Sequence, residues 1–186
     1  MNLRPPAEPT DPGAARGVWL RGLRSVGRAL GAVPRLAVGL LLAAWSLAIW
    51  NLSDRDIDLG PDSFWKSWLG NTAHAPLFGL WGLLLAATVA ARPVPARWPD
   101  LGMPRRWLVL AGTLLFGLLD EWHQSHVPGR EASLGDVSTD LVAVGCVLWV
   151  AAYLGRAEAE ERGVRRRLLL GVTACLAAAL LASLLG

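Results

Sequence analysis

Apolar residues in this chain come in runs about one bilayer thick, and the charges gather between the runs. A helix needs about 20 mostly apolar residues to cross a ~30 Å hydrocarbon layer. Five stretches meet that length, near 36–52, 72–91, 106–123, 137–154 and 168–185. They predict an all-α, polytopic membrane helix bundle of about five transmembrane helices. The first run begins too late for a cleavable signal peptide and lacks its small-residue cleavage site. Ahead of it, residues 1–13 are proline-rich and polar, and read as disordered. Then "RGVWLRGLRSVGRALGAV" sets Arg21, Arg24 and Arg28 at helical spacing, with Val18, Trp19, Leu23, Val26 and Leu30 largely elsewhere on the wheel. That is a basic amphipathic helix, suited to an anionic leaflet or to acting as an orientation signal. The expected organisation is an N-terminal cytoplasmic segment at 1–34, a four-helix membrane core at 35–155, and a basic loop with an additional fifth helix at 156–186.

Charge sets the orientation. Of 18 Lys and Arg residues in 186, all but Arg55, Lys66 and Arg130 lie before the first run, between the second and third, or between the fourth and fifth. Cytoplasmic loops accumulate these residues, so the N-terminus is expected inside and the C-terminus outside. The net charge of +3 then reflects membrane orientation. No basic-aromatic recognition module is present, and no nucleic-acid partner is expected. Cys146 and Cys175 sit inside apolar runs without CxxC or Cys/His spacing, and read as small buried hydrophobes. Trp50, Trp65, Trp68 and Trp122 near the outer boundary, with Trp98 and Trp107 near the inner one, read as interfacial belts. Gly79, Gly82, Gly112, Gly117 and Gly145 read as points of close helix contact.

The third and fourth runs are joined by "LLDEWHQSHVPGREASLGDVSTD", with five carboxylates, two histidines and an arginine. On the outer side, Asp120, His123 and Gln124 at i, i+3 and i+4 share one helix face, and Glu121 reaches Gln124. Val127, Pro128 and Gly129 form a turn. Asp136 and Asp140 lie one helical turn apart, Asp140 the deeper. A charge buried there is costly unless paired, so such residues face a bundle interior or a wet pocket. Arg130, the nearby fixed cation, is expected to hold one of the carboxylates bidentately. His74, entering the second helix within its first turns just before Pro76, is expected to join the same pocket.

The stretch "DEWHQSHVPGREASLGDVSTDLVAVG" resembles the signature of the VanZ-like family of bacterial membrane proteins, through Asp120, Glu121, Gln124, Pro128, Gly129, Arg130 and Asp136. "GNTAHAPLFGLWGLL" resembles that family's second helix, which carries a histidine at its start and a later glycine. The likeness runs from about 36 to 154. Asp140 stands where the family usually has Asn, Ala143 where a Gly is common, and Gly70 and Asn71 where an Asp-Lys pair is expected. The fifth helix lies outside the shared pattern. The family takes its name from a protein linked to teicoplanin resistance. The resemblance therefore implies the inner membrane of a bacterium and a link to cell-envelope molecules, without naming a reaction.

Several chemistries fit the cluster. His74, Glu121, His123, His126 and Asp136 are metal-ligand types, but no HExxH-like spacing supports a metal, and no cofactor is expected. Two carboxylates in a partly dry pocket ionise unequally, which suits Asp120 or Glu121 to acid/base catalysis by a hydrolase or transferase. Ser125, Ser133 and Ser138 lack a nucleophile elbow. An ion-paired clamp between helices is the structural alternative. The favoured expectation is a binding site of His74, Asp120, Glu121, His123, Gln124, Arg130, Asp136 and Asp140. Its ligand would be a cell-envelope or lipid-linked molecule, such as a precursor or glycopeptide, met beside membrane lipid. Five short helices without an inverted repeat argue against a standard transporter.

Overall fold

The computed structural model describes residues 17–55, 64–90, 98, 101–128, 130 and 132–185, and every regular element among them is helical. The elements are α1 (Val18–Ala32), α2 (Arg35–Ser53), α3 (Phe64–Val89), α4 (Met103–Gln124), α5 (Leu134–Leu154) and α6 (Glu161–Leu185). Residues 1–13, Arg92, Arg97, Glu131 and Gly129 of the expected turn lie outside the described residues.

Four helices, α2, α3, α5 and α6, are long and apolar enough to cross a membrane. The remaining long one, α4, spans 22 residues. It is less apolar because Arg105 and Arg106 occupy its first turn and Asp120, Glu121, His123 and Gln124 its last two. Leu36, Leu40, Leu47, Leu115, Leu119, Leu169 and Leu181 are exposed on the outside of the bundle. An exterior with that many exposed leucines suits lipid rather than water.

Two helices start earlier than their apolar runs. The first turns of α3 include Lys66, so His74 and Pro76 lie well inside the helix rather than at its entry. Pro76 has no N–H for the carbonyl of Thr72, four residues back. In α6 the arginines Arg162, Arg165, Arg166 and Arg167, expected in a loop, form the opening turns. The α6 extension is charged, while that of α3 mixes Lys66, Ser67 and Asn71 with Phe64, Trp65 and Trp68.

The centre of the bundle is α3 against α5, with α4 and α6 packed on both of them and α2 on α3. Ile49, Phe78, Trp81, Val109, Val144 and Leu148 are buried there. Gly82 permits the α3–α5 approach, since a Cβ there would lie 2.6 Å from Val144 Cγ2. Gly112 plays the same part beside Leu85. Gly145 does not: nothing lies within 4 Å of where its Cβ would be.

The basic amphipathic helix α1 docks on the arginine-rich end. The Glu161 carboxylate accepts from the backbone N–H groups of Trp19 (3.3 Å) and Leu20 (2.9 Å), two donors that a first helical turn leaves open. Arg24 returns the favour at the end of α5, donating to the carbonyls of Leu154 (3.3 Å) and Arg156 (2.7 Å). Trp98, expected in an interfacial belt, is instead buried beneath α1, with its indole N–H donating to Leu23 O at 2.9 Å. Trp65, Trp107 and Trp122 are exposed as a belt requires.

A candidate polar site at the end opposite α1

Helix direction alternates along the chain. The last turns of α2, α4 and α6 therefore meet the first turns of α5 and the early half of α3 at one end. The polar side chains of that end form a buried network.

On α4, Asp120 and Gln124 stack one turn apart, as their i, i+4 spacing dictates. Asp120 Oδ1 accepts from Ser53 Oγ of α2 at 2.7 Å, and Oδ2 accepts from Gln124 Nε2 at 2.9 Å. Gln124 Nε2 also approaches Glu121 Oε1 at 3.4 Å. The other Glu121 oxygen accepts from the backbone N–H of Ser133 at 2.6 Å. Ser133 is itself the N-cap of α5, its Oγ accepting from Gly135 N at 3.1 Å. Glu121 thereby fixes where the loop enters α5.

Arg130 does not pair as expected. Among the described residues it forms no ion pair. Its Nη2 donates to Gln124 Oε1 at 2.6 Å, so a neutral amide stands between the cation and Asp120. Gln124 donates through Nε2 to Asp120 and accepts through Oε1 from Arg130, so its amide links the two.

The second half of the network lies between α3 and α5. His74 Nδ1 lies 3.1 Å from Asp140 Oδ1, and Nε2 lies 3.9 Å from Asp136 Oδ2. One imidazole thus spans the two carboxylates of α5, and its ring stacks on Phe78 one turn further in. With the Asn71 amide turned so that both ends are satisfied, its nitrogen donates to Asp136 Oδ1 at 2.7 Å. Its oxygen accepts from the backbone N–H of Ser183 on α6 at 3.2 Å. Asp140 Oδ2 is buried without a hydrogen-bond partner. It faces Gly117 of α4, where a Cβ would lie 3.2 Å away.

Asp120, Gln124 and Asp140 are only 1% exposed, whereas the His74 and Asp136 side chains keep 13% and 11%. Approach from outside therefore runs past His74, Asp136 and Arg130. Of the expected site residues, His74, Asp120, Glu121, Gln124, Arg130, Asp136 and Asp140 belong to the network. His123 is turned away, its Nε2 2.7 Å from Asp54 Oδ1 and its ring stacked on Trp50. His126 bonds the Trp122 carbonyl at the surface. No three His, Cys, Asp or Glu side chains among the described residues converge as a metal-ligand group.

Ser53, Asn71, Ser133 and Ser183 were not foreseen as participants. Asn71 carried a signal, three residues before His74 and hence on its face. Ser53 and Ser183 carried none beyond lying near helix ends. Compared with known proteins, the chain matches no family model, no curated protein and no solved structure.

Proposed function

We propose that this chain is a five-span membrane protein of VanZ-like character, with its N-terminus inside, and that the polar network recognises a cell-envelope molecule on the outer face. The observation that carries the proposal is the network itself. Ionisable groups at the end of an apolar bundle, drawn from α3, α4 and α5 and tied to α2 and α6, are costly to bury and mark functional sites by default. Its composition indicates the ligand. Four carboxylates, Asp120, Glu121, Asp136 and Asp140, share the region with one guanidinium and one imidazole. Such a surplus of acceptors suits hydroxyl and ammonium donors, as on a sugar or headgroup, while the remaining N–H groups of Arg130 suit a phosphate. An effect on glycopeptide susceptibility follows if that molecule is a lipid-linked cell-wall precursor.

The rival, an acid/base hydrolase or transferase, is weakened for Asp120. Both its oxygens already accept hydrogen bonds and it is 1% exposed. Glu121 is 5% exposed and one of its oxygens has only a long contact, 3.4 Å from Gln124 Nε2, so it is the better test of either reading. Glu121→Gln keeps shape and one acceptor for Ser133 N–H but removes the charge. The expected result is near-normal abundance in the membrane fraction with loss of the envelope or glycopeptide phenotype, measured in one strain background. Normal abundance with the phenotype fully retained would leave the network as a helix clamp.

A further inference from the structure

A groove lies at the opposite end of the bundle from the polar network. It runs between α4 and α5, has a volume of about 230 Å³, and is lined by Met103, Arg106, Trp107, Leu110, Gly145, Leu148 and Trp149. Gly145 is part of what keeps it open, because no atom lies within 4 Å of where its Cβ would be. A Cβ there would enter the groove without meeting a neighbour. The walls are apolar, and the two indoles beside them are exposed, Trp107 at 63% and Trp149 at 42%. The Trp149 ring is held in place by the Arg167 guanidinium, 5.1 Å from its centroid.

The mouth of the groove is cationic. Arg105 and Arg106 occupy the first turn of α4. Arg106 is oriented by its Nε, which donates to Leu101 O at 2.8 Å. Among the described residues that is its one hydrogen bond, so its terminal nitrogens point their donors elsewhere. An apolar trough with Arg106 and two indoles in its wall, and exposed Arg105 next to Arg106 on α4, matches an acyl chain ending in a phosphate.

We infer that this groove binds one anionic phospholipid, its acyl chain along Gly145 and Leu148 and its phosphate at Arg106, with the positive charge of neighbouring Arg105 adding to the attraction. The inference rests on the chain residing in a bilayer, and is independent of the polar network at the other end. Arginine rather than lysine at the mouth fits bidentate contact with phosphate oxygens. A second protein copy would have to bury Arg106 against apolar surface, which charge disfavours.

The test uses the full-length protein, extracted in a non-ionic detergent and titrated with phosphatidylglycerol or phosphatidylcholine of identical chains. Native mass spectrometry counts the bound lipid. One phosphatidylglycerol per chain is expected to bind more tightly than phosphatidylcholine. Gly145→Leu should remove that bound lipid. Gly39→Leu is the matched control, since a Cβ at Gly39 on α2 also meets nothing within 4 Å, and it should change nothing. Arg106→Gln, a change that leaves the groove open, should weaken phosphatidylglycerol about fivefold, one arginine's share of the attraction, and weaken phosphatidylcholine less, because its choline offsets the phosphate charge. Equal binding of the two lipids overturns the inference, as does a Gly145→Leu protein that keeps its lipid. A dimer lost on Gly145→Leu without any lipid present would assign the groove to a second copy and overturn it too. Should Gly145→Leu fail to fold, the Arg106→Gln comparison decides alone. Release of the protein from membranes by alkaline carbonate would instead defeat the bilayer reading beneath it.

Discussion

Asp120 is held by two donors of unequal freedom. Ser53 has one hydroxyl hydrogen and two acceptors in reach, Ile49 O at 3.1 Å and Asp120 Oδ1 at 2.7 Å. Without Asp120 it can return to its own helix. Gln124 Nε2 has no such retreat, its other contact being Glu121 at 3.4 Å. Asp120→Ala should therefore cost about 1–3 kcal/mol, the range for stranding a buried polar partner. Ser53→Ala should cost about 1 kcal/mol or less, since Asp120 keeps Gln124. Thermal melts of the detergent-solubilised variants check the order, and the double variant should fall short of the sum because the residues share one network. Equal costs for the two single changes would make Ser53 the principal support of Asp120. The pairing of Asp120 with Gln124 was readable from their spacing. The diversion of Arg130 to the Gln124 amide was not, because it depends on how the loop after α4 folds back.

Between helices, small residues set distance. A Cβ on Gly82 would enter the space of Val144, while one on Gly145, the next residue along α5, would enter none. Gly82→Ala should thus lower stability by about 1–3 kcal/mol, the usual cost of overfilling a packed core. Adding Val144→Ala should restore part of it, and the cycle is read from melting temperatures in detergent. No recovery would mean that the α3–α5 spacing is set elsewhere. Sequence pattern treats both glycines alike, as packing positions. Which of them meets a neighbour is a matter of rotation about the helix axis relative to the partner, and that is fixed only when both helices are in place. The same holds for α1. Its amphipathic pattern is visible in the sequence, but its partners, Glu161 and the Leu154 carbonyl, belong to α6 and α5.

Across the whole molecule, charge is divided between two ends. The end that carries α1 also has Arg35, Arg105, Arg106, Arg156 and the opening arginines of α6, with Glu158, Glu160 and Glu161 among them, whereas the described Lys and Arg residues of the polar network end are Arg55, Lys66 and Arg130, beside Asp54 and the four carboxylates of the network. With Cys146 and Cys175 replaced by alanine, Ala132→Cys should react with an impermeant maleimide added to intact cells. Ala157→Cys should react only after permeabilisation. Both positions are exposed, so access and not burial decides the outcome. The reverse pattern would put the polar network in the cytoplasm and end the envelope reading.

The sequence by itself determined the helical class, the approximate places of the long apolar helices, and the gathering of ionisable groups at helix ends. These follow from properties each residue carries alone or shares with neighbours a turn away: hydropathy, charge and 3.6-residue periodicity. It also singled out most of the polar network, because carboxylates in an oily chain are conspicuous. What only the tertiary structure decided was partnership. Ser53 meets Asp120 across 67 positions and His74 meets Asp140 across 66, while His123, adjacent in sequence to the network, leaves it for Asp54. Such choices turn on how far each helix slides and rotates against the next. A shift of one residue turns a side chain by about 100°, more than enough to exchange one partner for another.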